Sequence, residues 1–191
     1  VYEGEKKTSY KSKNIVIATG SGPSTLPGME IDEENIVSST GALALKEVPK
    51  NFIVIGGGYI GLEMGSVWSR LGSNVTVLEY LDHITPGMDK EISSEFMKIL
   101  TKQGFKFKLN SKVTSVSNKG DQVEVAFTNN ETSKKEKILA DKVLVSVGRK
   151  PYTEGLNLAK IGIKKDKQGR IEVNEKLQTS INNIYAIGDV I

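Results

Sequence analysis

The run Gly56-Gly57-Gly58-Tyr59-Ile60-Gly61 carries glycine at its first, third and last positions, and a carboxylate, Glu79, follows 18 residues after Gly61. Residues of these types at this spacing can bind a dinucleotide. Gly56 permits a tight turn, Gly58 lets the backbone approach a pyrophosphate, and Gly61 lets a helix pack closely on a strand. Free N–H groups at the start of that helix, with its dipole, would hold the phosphates. Glu79 would accept hydrogen bonds from the adenosine ribose hydroxyls and repel a 2′-phosphate, which favours NAD over NADP. Tyr80-Leu81-Asp82 comes next and offers no arginine for such a phosphate.

Glycine clusters on their own mark ordinary turns, so the reading depends on the flanking elements. Asn51 to Ile55 is an apolar run of strand length ahead of the glycines. Tyr59 to Leu71 reads as a helix with Ile60, Met64, Val67 and Leu71 on one face, and Gly72 caps its end. Asn74 to Leu78 is a second strand that ends on Glu79. A second helix is expected from about Asp89 to Gln103, burying Ile92, Phe96, Ile99 and Leu100. Beyond it lie short strands at Phe105–Leu109, Val113–Val116, Gln122–Phe127 and Lys137–Leu139, then a buried strand at Val143–Val147 stopped at Gly148. The expected class is α/β: a Rossmann-like unit with a parallel sheet plus an antiparallel β-meander.

Other reactive side chains are better read as structural. His83 is the only histidine and the chain has no cysteine, so no metal site is expected. The lack of cysteine also removes disulfides, thiolate nucleophiles and any redox dithiol from this chain. Ser38, Ser39 and Thr40 have no base partner and suit helix caps. Trp68 and Met64 read as core residues. Glu63, early in the glycine-motif helix, reads as an acid favoured by the dipole.

With 191 residues, 38% hydrophobic and 26% charged, the composition is that of a globular protein. A net charge of +3, from scattered lysines, gives no ground for nucleic-acid binding. The apolar runs are far too short to span a membrane. Val1-Tyr2-Glu3-Gly4-Glu5 has neither an initiator Met nor the apolar stretch of a signal peptide, so a fragment or processed chain is expected.

Four blocks, in order along nearly the whole chain, resemble the pyridine nucleotide–disulfide oxidoreductases, and within them the dihydrolipoamide dehydrogenases. They are Ile17-Ala18-Thr19-Gly20-Ser21 with Pro27-Gly28, Val54 through Glu63, Val147-Gly148-Arg149-Lys150-Pro151, and Tyr185-Ala186-Ile187-Gly188-Asp189-Val190. The resemblance implies a division into an FAD-domain segment at residues 1–40, an NAD-binding domain at 41–166, and an FAD-domain return segment at 167–191. It implies NAD contacts at Gly56, Gly57, Gly58, Tyr59, Ile60, Gly61, Leu62, Glu63, Glu79, Val113 and Gly148. Thr19, Gly20, Ser21 and Asp189 would lie on the FAD. Glu63 would stand near the nicotinamide and flavin rings, which displaces its reading as a plain dipole acid.

The full reaction implied is dihydrolipoamide + NAD⁺ to lipoamide + NADH. Its partners would be the lipoyl domains of 2-oxo acid dehydrogenase complexes and a homodimer mate. The compartment would be a mitochondrial matrix or bacterial cytoplasm, with a plastid or apicoplast as a further setting. The family's redox cysteines, first flavin-binding glycine motif and C-terminal interface domain have no counterpart here, so no catalytic residue is expected in this chain and it should be inactive alone. Two alternatives stay open: an NAD(P)H-dependent disulfide or metal-ion reductase of the same family, and a non-catalytic NAD-binding module.

Overall fold

The computed structural model describes residues 2–191. Contacts divide the chain into two compact units, one made of residues up to Gly22 with Arg149–Ile191, the other of Pro23–Gly148. The sequence placed its boundaries near residues 40 and 166. The difference has a cause in each unit, given below.

The chain opens with a two-residue antiparallel pair, β1 (Tyr2–Glu3) and β2 (Lys6–Lys7). Then come β3 (Ile15–Ile17) and β4 (Ser21–Pro23). The middle unit begins with β5 (Ile36–Val37), α1 (Ser39–Ala44), β6 (Asn51–Ile55), α2 (Tyr59–Leu71), β7 (Asn74–Leu78), α3 (Lys90–Lys102) and β8 (Lys106–Lys108). It continues through β9 (Ser111–Asn118), β10 (Val123–Asn129), β11 (Lys135–Ala140) and β12 (Lys142–Val145). After these come β13 (Arg149–Pro151) and β14 (Ile184–Ala186).

In the middle unit, β5, β12, β6, β7 and β8 form a five-stranded sheet in that order, parallel throughout. A parallel sheet is covered on both faces, which explains the unbroken apolar runs of β6 and β12. Alternation along the strands divides the core in two. Phe52, Val54, Val75, Val77 and Leu144 face α1–α3 and pack with Leu62, Trp68 and Leu100. Ile53, Ile55, Val143 and Val145 face the antiparallel sheet β11-β10-β9 and pack with Val116, Val125 and Phe127. The unit therefore has three layers: helices, parallel sheet, meander. Strand β5 pairs with β12 through Ile36 and Val37, which draws the residues after Gly22 into this unit.

The helices depart from their expected stripes. Helix α2 buries Gly61, Leu62, Gly65 and Trp68, not Ile60, Met64, Val67 and Leu71. Helix α3 buries Ser93 and Leu100, while Ile92 and Ile99 are exposed. Glycines decide the face of α2. A Cβ on Gly65 would come within 3.0 Å of the Phe105 ring, so only the glycine face can approach this closely. The bulkier face, with Val67 and Leu71, turns toward Ile92 and Ile99 across an open groove of about 860 Å³. The caps follow the sequence: Ser38 Oγ accepts the Thr40 N–H at 3.1 Å, and Asp89 Oδ1 accepts those of Glu91 and Ile92.

The other unit has its own apolar cluster of Ile17, Leu158, Ile163, Ile171, Ile184, Ala186 and Val190. Leu158 and Ile163 fall in the stretch expected to belong to the middle domain, and they pack into this cluster instead. Strands β3 and β14 form a two-stranded parallel sheet, with Ile15 paired to Ile184 and Ile17 to Ala186. Strand β13 pairs with β4.

Candidate functional site

The carboxyl ends of β6, β7 and β12 converge on one edge of the middle unit. From β6 the chain moves outward to β7 and β8, then returns to the other side of β6 as β12. The sheet order thus reverses between β6 and β12, and open α/β sheets bind ligands at such a point.

At the end of β6 the backbone turns through Gly56, whose φ of +104° suits glycine. A Cβ there would stand 2.5 Å from the Ser146 carbonyl oxygen. Gly58 is the N-cap of α2 and, having no side chain, leaves the helix without a side-chain cap bond. A Cβ at Gly58 would meet nothing within 4 Å, so the space beside the start of α2 is open. Gly61 is buried, and a Cβ on it would overlap the Gly56 carbonyl oxygen and come within 2.6 Å of Ser146 Oγ. Gly56 thus makes the tight turn and Gly61 the close helix–strand approach that the spacing implied. The open, uncapped helix start and the backbone exposed at Gly58 fit an anionic pyrophosphate.

Glu79 directly follows β7, with only 7% of its surface exposed. Its Oε2 accepts the Gly57 N–H at 2.6 Å and its Oε1 accepts the Leu81 N–H at 2.9 Å. The carboxylate and the glycine turn are therefore bound directly to each other, which the sequence spacing did not reveal. Each oxygen keeps acceptor capacity beyond that one bond, as a ribose diol requires. Asp82, in the loop that follows, has its pKa lowered chiefly by its 2.5 Å hydrogen bond to His83 Nδ1. Among the described residues no cluster of three His, Asp, Glu or Cys groups could hold a metal.

The remaining candidates spread around this centre. Tyr59 is the first residue of α2 and is exposed, Ile60 is half-buried, and Leu62 is in the core. Glu63 is exposed one turn further on and borders the groove between α2 and α3 together with Tyr59. Ser111 at the start of β9 donates its N–H to the Glu79 carbonyl at 2.7 Å, and this places Val113, two residues on, at the same edge. Gly148, with φ of +124°, is exposed just beyond the end of β12.

Thr19, Gly20, Ser21 and Asp189 all lie in the other unit. Ser21 Oγ donates to Asp189 Oδ2 at 2.7 Å, and Thr19 Oγ1 donates to the Tyr152 carbonyl at 2.5 Å. Arg149 donates to the Ser21 hydroxyl and carbonyl, both at 2.5 Å, and stands 3.6 Å from Asp189. Asp189 remains mostly exposed, with room to accept from a ligand.

Sequence reasoning missed three residues against these sites. Arg149 was noted only as part of a block. Ser146 donates to the carbonyls of Ile55 and Gly56 at 2.9 and 3.3 Å. Thr85 donates its N–H to the Gly57 carbonyl at 2.8 Å. No local pattern signals the last two, because both are loop residues brought in by the sheet.

The pyridine nucleotide-disulphide oxidoreductase family model matches residues 2–191. The chain is 57% identical over 99% of its length to a mitochondrial dihydrolipoyl dehydrogenase of Pisum sativum, and covers 38% of that protein. It is 56% identical over 99% of its length to a leghemoglobin reductase of Glycine max, of which it covers 36%. Among solved structures, a Cu(II) complex of a mutant HOCl-induced flavoprotein disulfide reductase RclA from Escherichia coli aligns over 100% of this chain and 42% of its own. That alignment has a TM-score of 0.89 and 34% identity. The chain thus spans well under half the length of these relatives. It belongs to the pyridine nucleotide-disulphide oxidoreductase family.

Proposed function

We propose that this chain is the NAD(H)-binding portion of a flavoprotein of the dihydrolipoamide dehydrogenase type. The observation that carries the reading is the buried Glu79 carboxylate, pinned beside the uncapped start of α2 at the reversal point of a parallel sheet. The unit Pro23–Gly148 then acts as the NAD domain, and the residues up to Gly22 with Arg149–Ile191 act as pieces of an FAD domain.

In this reading the N–H groups of Gly58, Tyr59 and Ile60 hold the pyrophosphate, and Glu79 holds the adenosine ribose, with Val113 beside the adenine. Leu62 packs the motif helix onto the sheet, and Gly61 sets its distance. Tyr59 and Glu63 border the nicotinamide end, and Gly148 closes the same edge. NAD supplies hydride chemistry when bound; the chain's own residues bind and orient it and exclude a 2′-phosphate. Thr19, Gly20, Ser21 and Asp189 hold part of the FAD, with Arg149 fixing Ser21 against Asp189. In the whole protein the reaction is dihydrolipoamide + NAD⁺ to lipoamide + NADH, served by lipoyl domains in a mitochondrial matrix. Among the described residues no helix is long and apolar enough to cross a membrane.

The test is calorimetric titration of NADH and NADPH into the wild type and Glu79→Ala. Hydrogen bonds to a charged group contribute roughly 1.5–3 kcal/mol. Loss of the ribose bonds should therefore weaken NADH roughly 10- to 150-fold. NADPH, relieved of repulsion, should weaken less or improve. A wild type that binds both nucleotides equally well would remove Glu79 from the ribose site.

A further inference from the structure

Glu79 accepts the Gly57 N–H, and on the other side of the same residue the Gly57 carbonyl accepts the Thr85 N–H at 2.8 Å. Gly57 is thus gripped at both its peptide groups, and its own turn cannot rotate without breaking one grip. Thr85 makes its bond from a φ of +50°, a conformation that is a genuine outlier for a β-branched residue. Pro86 follows it directly. Strain of this kind persists only where the surroundings over-determine it. Here the constraint is visible: Thr85 Oγ1 and Ser93 Oγ form a hydrogen bond at 2.8 Å, with the two residues only 4% and 2% exposed. Ser93 lies in the first turn of α3, whose N-cap Asp89 accepts two backbone N–H groups. The helix holds Ser93, Ser93 holds Thr85, Thr85 holds Gly57, and Gly57 holds Glu79.

We infer that Thr85 is a positioning residue for nucleotide selectivity: through Gly57 it sets the orientation of the Glu79 carboxylate, and so the preference for a ribose diol over a 2′-phosphate. The inference rests on the reading of Glu79 as the ribose acid. A carboxylate bound to a fixed peptide presents its oxygens at fixed positions, and a 2′-phosphate cannot swing it aside. Released from that peptide, it keeps only the Leu81 N–H on Oε1, and its Oε2 can turn away from a phosphate as easily as toward a diol. Loss of the Thr85 anchor should therefore spare NADPH binding and cost NADH binding, a pattern that general loosening does not produce.

The experiment compares NADH and NADPH dissociation constants, with melting temperatures, for the wild type, Thr85→Ser, Thr85→Gly and Ser93→Ala in the full chain. Thr85→Ser keeps both bonds and should hold the wild-type NADPH:NADH ratio of dissociation constants. Thr85→Gly keeps the N–H but loses the hydroxyl anchor and frees φ; the ratio should fall about fivefold or more, the worth of one hydrogen bond. Ser93→Ala should lower the ratio in the same direction, and it decides the matter if Thr85→Gly does not fold. A lower melting temperature with an unchanged ratio in these variants overturns the inference and leaves Glu79 as the ribose acid. A wild type with no preference for NADH overturns both, and does so before any variant is made.

Discussion

The Ser146 hydroxyl fills the space beside Gly61: it donates to the Ile55 carbonyl at 2.9 Å and stands 2.6 Å from where a Cβ on Gly61 would be. The end of β12 is thereby locked to the end of β6 at the spot where α2 begins. This contact sets how closely helix and sheet approach, and with it the position of the N–H groups at the helix start.

Gly61→Ala should lose about 1–3 kcal/mol of stability, the usual cost of overpacking a core. Ser146→Gly in the same chain should recover only part of that loss. The Gly56 carbonyl and Val54 Cγ1, the latter 2.8 Å from the added methyl, remain in the way. Denaturant midpoints of the two single variants and the double variant test this. Full recovery in the double variant would mean that the hydroxyl alone sets the spacing.

Asp32 gives the middle unit a pH dependence. Burial acts to raise its pKa, but the N–H groups of Glu34, Ile36 and Asn35 on its carboxylate outweigh that and lower it from 3.8. A carboxylate with a depressed folded pKa contributes stability that is full above its unfolded pKa and is lost as pH falls through the folded one. Asp32→Asn should therefore be less stable than the wild type at neutral pH, with the gap closing below about pH 4. Urea midpoints across that range check it; a gap independent of pH would assign the loss to packing.

The chain should be colourless after incubation with FAD and gel filtration, and inactive towards dihydrolipoamide. It contains no cysteine, so no dithiol in this chain can take electrons from the substrate. The β3–β14 sheet has two strands, and Ile15 and Val16 are exposed on it. The Ser21–Asp189–Arg149 cluster alone gives a flavin few contacts. Retained flavin absorbance would show that the cluster binds FAD without further strands.

Much of this architecture could be read from residue order, and the reasons differ by element. The β6–α2–β7 unit was legible because a buried strand, a glycine turn and a capped helix each leave a local signal. Apart from Trp68, the buried face of α2 was not, since Gly61 and Gly65 carry no apolar mark, and Val67 and Leu71 of the expected stripe line the open groove instead. Strand β8 reads like the meander because Phe105-Lys106-Phe107-Lys108 alternates, yet it is the edge of the parallel sheet, where one flank meets water. The glycines and Glu79 were found by spacing. Thr85 and Ser146 act through a backbone angle and a crossover, and neither has a sequence signature.

The boundaries give the last prediction, because two fragments of equal length (126 residues each) can be compared: 23–148, as the packing divides the chain, and 41–166, as the sequence suggested. The second fragment lacks Met29, Ile36 and Val37, all buried in the core of the middle unit. Burying one such side chain contributes roughly 1.5–3 kcal/mol, so the three together approach the 5–15 kcal/mol of a whole domain. It also loses β5, exposing the edge of β12 where Val143 and Leu144 pair with Ile36 and Val37. In exchange it gains Leu158 and Ile163, whose packing partners Ile171, Ile184 and Val190 are left behind. Fragment 23–148 should unfold in one cooperative transition and keep the NADH affinity of the full chain. Fragment 41–166 should melt far lower or not fold. Circular dichroism melts and NADH titrations on both fragments decide this, and equal melting temperatures would mean that β5 is dispensable and that the packing boundary is not the folding boundary.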